Sequence, residues 1–137
     1  MDPSARVWGL LGLAPFFAPL LVPALAPALR PGADVGQRLY AALILSFIAG
    51  AWFGRALDTE NPRVIALSMA PPVLALGLVW PGLLPGQAAR LGLILLLAFA
   101  ALRDRRDPQA PAGYPALRSI LTLAAMTALM MGLWVFA

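Results

Sequence analysis

The sequence predicts an all-α integral membrane protein, a bundle of five transmembrane helices that forms a single domain over residues 1–137. Composition is the first reason: 61% of the residues are hydrophobic and 12% are charged, whereas a soluble domain carries about 25% charged residues. The second reason is that the apolar residues form five runs, each close to the ~20 residues that cross the hydrocarbon core of a bilayer. We place the spans at residues 8–29, 39–57, 63–80, 83–102 and 116–136.

Short connections rich in turn-forming residues separate the five runs, and none of them is long enough to fold as a soluble domain. In chain order they read RPGADVGQR, DTENPR, PGLLPGQ and RDRRDPQAPAGYP. The first run follows the leader MDPSAR, which carries one Arg and one Asp, and it is long for the apolar region of a signal peptide. We therefore expect an uncleaved first span.

The arginines predict the orientation, because positive residues in short loops stay on the cytoplasmic side. With alternating spans, seven share the side of the N-terminus and three the opposite side: Arg6, Arg55, Arg63, Arg103, Arg105, Arg106 and Arg118 against Arg30, Arg38 and Arg90. We expect a cytoplasmic N-terminus and a periplasmic C-terminus in a bacterial inner membrane. Arg90 falls inside the fourth span, and we expect its side chain to snorkel outward.

Several classes of site are excluded by composition. The chain has neither Cys nor His, so disulfides, thiolate metal sites and histidine-ligated haem are excluded within it. The arginines form no dense basic stripe, and no nucleic-acid partner is expected. Met126 and Met130 have a spacing that would suit a Cu(I) thioether site, but methionine more commonly fills gaps in cores. We predict no catalytic residue, cofactor or metal.

The first span contains prolines at every fourth position: Pro15, Pro19, Pro23 and Pro27. Each proline frees the carbonyl four residues earlier, and a spacing of four keeps these carbonyls on one slowly drifting stripe. We expect the stripe to face the bundle interior, where neighbouring helices satisfy it, and to curve the helix gradually. A broken helix that lines a small cavity, as in transporters, is the alternative.

Small residues recur at steps of four in the second span, at Ala42, Ser46, Gly50 and Gly54. Such a face allows another backbone to approach closely. We predict that it packs within the chain, against the proline-containing span, with a homodimer seam as the alternative. In the third span, Pro71 and Pro72 predict a kink, and Ser68 is expected to satisfy one of the carbonyls that they free.

The most polar connection carries a group of arginines that we expect to contact anionic lipid headgroups or a partner protein. They are Arg103, Arg105 and Arg106, with Arg118 at the start of the fifth span.

Four segments distributed over almost the whole chain resemble the transmembrane protein 69-like family, a group of small membrane proteins of unknown function in bacteria and mitochondria. The segments are LGLAPFF, LYAALILSFIAGAWFGRAL, SMAPPVLAL and YPALRSILT. The positions that match are Pro15, Tyr40, Ser46, Gly50, Gly54, Ser68, Pro71, Arg118 and Thr122. Trp52 and Phe53 stand where the family tends to have a polar residue followed by Trp, and Pro19, Pro23 and Pro27 go beyond the family pattern. The resemblance implies an architecture and no established activity.

These observations predict a non-enzymatic accessory, assembly or scaffold subunit of a larger membrane complex, for example a respiratory or photosynthetic one. Its expected partners are membrane lipids and other membrane-protein subunits. A small transporter or channel component is the alternative, although the spans offer no evident carboxylate or His for proton coupling. A lipid-modifying enzyme that uses Asp58, Glu60, Asp104 and Asp107 on the cytoplasmic face is the third hypothesis.

Overall fold

The computed structural model describes residues 3–106 and 113–137, and over these residues the protein is helical with no β-strand. The helices are α1 (Pro3–Leu11), α2 (Ala14–Leu25), α3 (Arg30–Leu57), α4 (Pro62–Ser68), α5 (Ala70–Val79), α6 (Gly86–Arg105) and α7 (Tyr114–Val135), and a 3-10 turn over Pro27–Leu29 precedes α3.

Five helical stretches are long and apolar enough to cross a membrane. They are Pro3–Leu25, Pro27–Leu57, Pro62–Val79, Gly86–Arg105 and Ala116–Val135. Large side chains such as Leu25, Phe47, Leu95 and Trp134 face outward along them. Because a soluble protein does not leave apolar surface of this extent in water, the outer surface is compatible with a multi-pass membrane protein.

The second stretch begins earlier than its apolar run, because the connection RPGADVGQR is helical from Arg30 onward. Pro31 lies in the first turn of α3, where its missing N–H is not needed. Asp34 and Gln37 then extend the helix as polar residues, and both have partners on other helices. Tertiary pairing therefore makes a polar connection part of a long helix.

The first stretch is interrupted at two places next to prolines, whereas Pro19 and Pro23 lie inside α2 without breaking it. The predicted gradual curve of the helix stays a prediction. α1 ends at Leu11, α2 begins at Ala14 with Pro15 in its first turn, and Pro27 opens the 3-10 turn. At the first break the amide of Phe16 bonds to the carbonyl of Leu13, which leaves the carbonyl of Gly12 free for the Tyr40 hydroxyl at 2.6 Å. A neighbouring helix thus satisfies a carbonyl freed at a break, as expected, but the carbonyl is that of Gly12.

The third stretch kinks between α4 and α5, where Met69 separates the two helices. The amide of Met69 bonds to the carbonyl of Ala66, which leaves the carbonyl of Ile65 without its usual helical donor. The Ser68 hydroxyl donates to that carbonyl at 2.6 Å. Ser68 and Pro71 are both buried, so the kink lies against the rest of the bundle.

α3 lies at the centre of the bundle and contacts α2, α5 and α6, while α6 and α7 pack extensively against each other. The core is built from one stripe of α3 together with inward residues of α2, α6 and α7. On α3 this stripe contains Ala41, Leu45, Ile48, Trp52 and Ala56, all of which are buried.

The small-residue face of α3 does not pack within the chain, so that prediction is wrong for most of the face. Ser46, Gly50 and Gly54 are exposed and Ala42 is half-buried. A Cβ built on Gly50 or Gly54 meets no atom within 4 Å, and Ser46 donates to the carbonyl of Ala42 in its own helix. The buried stripe starts one residue earlier, a rotation of about 100°, because Gln37 and Trp52 on that stripe need polar partners in the bundle.

Candidate functional site

The first polar group in the bundle surrounds Arg90 of α6, and we name it the Arg90 cluster: Asp34, Gln37, Arg38, Gln87 and Arg90. The Arg90 Nε donates to Gln37 Oε1 at 3.1 Å, and its Nη1 donates to Gln87 Oε1 at 3.0 Å. Its Nη2 donates to Asp34 Oδ1 at 2.6 Å and to the Asp34 carbonyl at 3.3 Å. Each guanidinium nitrogen therefore has an acceptor, as a buried charge requires.

Gln37 connects this cluster to the remaining helices. Its Nε2 donates to the carbonyl of Phe16 on α2 at 2.9 Å and to that of Ala128 on α7 at 3.0 Å. The ring of Phe136 covers the guanidinium, with the Arg90 Cζ 5.1 Å from the ring centroid. The cluster thus joins α2, α3, α6 and α7 through hydrogen bonds that replace water.

The expectation that Arg90 snorkels outward is wrong, because its side chain is 0% exposed. Snorkelling is favourable when an arginine in a span has no acceptor nearby. Here Asp34 supplies a carboxylate from the first turns of α3, and Arg38 makes a second ion pair with the same oxygen at 3.3 Å. The sequence places Asp34 in a connection between spans, so Asp34 was not predicted as a partner of Arg90.

Gly132 on α7 lies directly against this network, and we expect Gly132→Ala to break it. A Cβ at this position would lie 2.5 Å from Gln37 Oε1 and 2.7 Å from Arg90 Nε. Because both side chains are held by other hydrogen bonds, we expect a loss of about 1–3 kcal/mol, as for other overpacked sites. Unfolding of the detergent-solubilised protein measures the loss.

Gly77→Ala on α5 is the matched control, because a Cβ there meets no atom within 4 Å. Replacing this glycine should leave stability unchanged or raise it by up to about 1 kcal/mol, the helix-propensity difference. Equal stability of the Gly132 and Gly77 variants would contradict the proposed contact.

The second polar group lies at the other end of α6, and we name it the Asp104 cluster: Trp52, Arg55, Arg103, Asp104 and Arg118. Asp104 Oδ2 accepts from Arg118 Nε at 3.0 Å, and its Oδ1 accepts from the Trp52 indole at 2.8 Å. Arg55 Nη2 lies 3.8 Å from the same Oδ1. Asp104 is buried, and it is the carboxylate around which these cations gather.

The sequence predicts a solvated connection that contains Asp104 and has Arg118 at its edge. The structure shows instead that both side chains are largely buried. Arg118 makes a buried ion pair with Asp104, and Arg103 stacks on Trp52, with its Cζ 4.4 Å from the ring centroid. The expected contact of these two arginines with lipid or a partner stays a prediction. Arg105 and Arg106 are exposed, so their expected contact with headgroups or a partner stays a prediction. Asp107 lies outside the described residues.

A cavity of about 480 Å³ adjoins the Asp104 cluster and lies between α1, α2, α3 and α7. Its wall is apolar, with Leu13, Phe16 and Leu121 among the lining residues, and Arg118 and Thr122 are its charged and hydroxyl side chains. Trp8 and Phe47 also line it and are largely exposed, so the cavity opens toward the outer surface of the bundle.

Two residues that line this cavity carry a buried donor without a hydrogen-bond partner in the described part of the chain. Among the described residues, neither the Arg118 Nη2 nor the Thr122 hydroxyl makes a hydrogen bond. Three other Ser and Thr hydroxyls bond to the backbone of their own helix: Ser46 to Ala42, Ser68 to Ile65 and Thr127 to Leu123. Thr122 is 3% exposed, and its hydroxyl makes no such hydrogen bond. The sequence signal that would have found the site is the spacing of four between Arg118 and Thr122, which places both on one face of α7.

Within the part of the chain that the structure describes, no group of three His, Cys, Asp or Glu side chains could hold a metal ion. The two clusters instead hold individual carboxylates among arginines. Each nitrogen of the Arg90 guanidinium has an acceptor inside the bundle, whereas the cavity beside the Asp104 cluster is lined by two residues whose buried donors have no partner among the described residues. This cavity is therefore a candidate site for a ligand.

Comparison with known proteins gives one family. The model of a family described as "Protein of unknown function (DUF3429)" matches residues 1–134. No curated protein and no solved structure matches the chain.

Proposed function

The chain belongs to the DUF3429 family of proteins of unknown function, and from this premise we propose that it is a non-enzymatic accessory, assembly or scaffold subunit of a larger membrane complex. Its attachment surface is the exposed small-residue face of α3, formed by Ala42, Ser46, Gly50 and Gly54. The partner is a transmembrane helix of another membrane protein. A second copy of this chain is the competing occupant of the same face.

The observation that carries this proposal is that the chain's own packing does not account for Gly50 and Gly54. Glycine in the interior of a helix costs about 1 kcal/mol relative to alanine. At both positions a Cβ would meet no atom of this chain within 4 Å, so no internal contact requires the absence of a side chain. Close approach of a second backbone is the established use of such glycines in membranes.

The polar clusters favour this role over catalysis or proton-coupled transport. Each nitrogen of the Arg90 guanidinium has an acceptor within the bundle. Both carboxylate oxygens of Asp104 accept hydrogen bonds, so neither oxygen is free to act as a general base. Groups saturated in this way support a structural function.

We expect Gly50→Leu and Gly54→Leu together to remove the partner protein from the purified material. Bulky side chains on this face would separate the two backbones by several ångströms, and close packing is the main attraction between helices in lipid. The measurement is quantitative mass spectrometry of what copurifies in mild detergent. Gly77→Leu, at another open glycine position, should leave the partner in place.

Two further results decide between the occupants. Copurification of two differently tagged copies of the chain, lost in the α3 variant, would assign the face to a homodimer and overturn the heteromeric proposal. Absence of any stoichiometric partner from the unaltered protein would overturn the subunit role itself.

The orientation belongs to the same proposal: a cytoplasmic N-terminus and a periplasmic C-terminus in a bacterial inner membrane. The distribution of the arginines supports it. The chain contains no Cys, so single cysteines can report each side. We expect a membrane-impermeant maleimide added to intact cells to label Leu83→Cys and not Arg106→Cys, with both labelled after lysis. The reverse pattern would invert the topology.

The resemblance to the transmembrane protein 69-like family is retained here as part of the proposal. The description of the matched family names no such relationship and no activity. If the resemblance reflects common descent, mitochondrial relatives would use the same face of α3.

A further inference from the structure

We propose that the cavity between α1, α2, α3 and α7 binds an amphiphile with an acyl chain, whose carboxylate or phosphate accepts hydrogen bonds from Arg118 and Thr122. This ligand is distinct from the protein partner of α3, because the two surfaces use different residues. The proposal stands if the subunit role fails, and it can fail while that role holds.

The shape and lining of the cavity suit the chain of such a ligand. Its volume of about 480 Å³ falls within the range of about 300–1,000 Å³ that ligand pockets occupy. Leu13, Phe16 and Leu121 form an apolar wall, which receives methylene groups without leaving a polar atom unpaired. The exposed Trp8 and Phe47 stand where a lipid chain would enter from the side.

The polar end of the cavity suits an acceptor. Thr122 is 3% exposed, and its hydroxyl has no partner among the described residues. Arg118 uses its Nε for Asp104 and keeps its Nη2 without an acceptor. An unpaired buried donor costs about 1–3 kcal/mol, so two at one cavity indicate a group that supplies acceptors.

The charge of the surroundings selects an anion over a neutral acceptor. Arg118 Nε lies 3.0 Å from Asp104 Oδ2, and Arg55 Nη2 lies 3.8 Å from Asp104 Oδ1, so two guanidinium groups share this carboxylate. The donor that Arg118 offers at the cavity therefore belongs to a cation. A guanidinium matches the oxygens of a carboxylate or phosphate particularly well.

Binding to the purified, delipidated full chain tests the proposal. The probes are oleic acid, oleyl alcohol, dioleoylphosphatidylglycerol and a ubiquinone, and native mass spectrometry measures the bound fraction of each across a concentration series. We expect one oleic acid or one phosphatidylglycerol per chain, with oleyl alcohol and ubiquinone at least about tenfold weaker. The first two probes distinguish a free fatty acid from a phospholipid, and binding of both still supports recognition of the anionic end.

Variants locate the binding. Thr122→Val keeps the shape and removes the hydroxyl, and we expect about tenfold weaker binding, the loss of one hydrogen bond to a charged group. Ala51→Leu fills the cavity from α3 and should weaken binding at least as much without touching the polar end. Thr127→Val on the exposed side of α7, where the hydroxyl bonds to Leu123, is the matched control and should bind normally.

Several results would overturn the proposal. Oleyl alcohol or ubiquinone bound as tightly as the anions would remove the role of the charge. Equal affinity in the Ala51 variant and the unaltered chain would place any bound lipid elsewhere on the surface. If Thr122→Val fails to fold, the Ala51 variant and the comparison of oleic acid with oleyl alcohol decide the matter.

Discussion

Asp104→Asn is expected to lower the free energy of unfolding by about 3–5 kcal/mol, the cost of breaking a buried ion pair from one side. The amide still accepts from the Trp52 indole, but it carries no charge to balance Arg55 and Arg118. Both arginines approach the carboxylate within 4 Å. Unfolding in mixed detergent micelles, followed by circular dichroism, measures the change.

Asp58→Asn is the control for this variant. Asp58 is exposed at the end of α3, and an isolated charge on the surface contributes about 0–1 kcal/mol. A second comparison uses Asp104→Asn combined with Arg118→Met, in which part of the lost stability should return because an unbalanced cation is removed. Additive losses in the double variant would argue against the pair.

Arg90→Met is expected to cost about 3 kcal/mol, near the lower end of the range for a buried pair broken from one side. The change leaves acceptors on Gln37 and Gln87 without their donor, in a region that contains the covering ring of Phe136. Asp34 retains Arg38 as a partner, which is why we expect a smaller loss than for Asp104.

The same unfolding measurement checks this expectation, and Arg106→Met serves as its control because Arg106 is exposed at the end of α6. Combining Arg90→Met with Gln37→Leu should cost less than the sum of the two single variants, because both remove the same hydrogen bond between Arg90 and Gln37. A stability equal to that of the unaltered protein would mean that the Arg90 cluster contributes nothing to folding.

Much of the architecture was predictable because lipid imposes simple rules. A backbone without water must form its own hydrogen bonds, so apolar runs of about 20 residues become helices. The kink before Pro71 and the disturbance at Pro15 were likewise predictable, because proline removes a donor at a defined place. Which carbonyl is freed, and which side chain satisfies it, depended on Tyr40 and Ser68 in the folded chain.

The candidate site was the least predictable part. Asp34 and Asp104 were both assigned to connections, since a charged residue beside a turn former is usually solvated. Their partners lie far away in sequence: Arg90 is 56 positions from Asp34, and Trp52 is 52 positions from Asp104. Periodicity within a helix carries no information about such pairs.

Partners that are distant in sequence also decide which face of α3 is buried. A stripe of small residues and a stripe containing Gln37, Leu45 and Trp52 both run along this helix, and close packing alone favours the first. The second is buried because the polar atoms of Gln37 and Trp52 must find partners, which here come from α2, α6 and α7.

The amino-acid sequence by itself determined that this is a helical chain suited to lipid, where its spans lie and where prolines disturb them, because each of these follows from local composition and backbone chemistry. The tertiary structure alone decided which face of α3 is buried, that Arg90 and Asp104 are paired inside the bundle, and that Arg118 and Thr122 border a cavity. These outcomes depend on contacts between helices distant in sequence, since a polar atom in apolar surroundings is stable only where another segment supplies its partner.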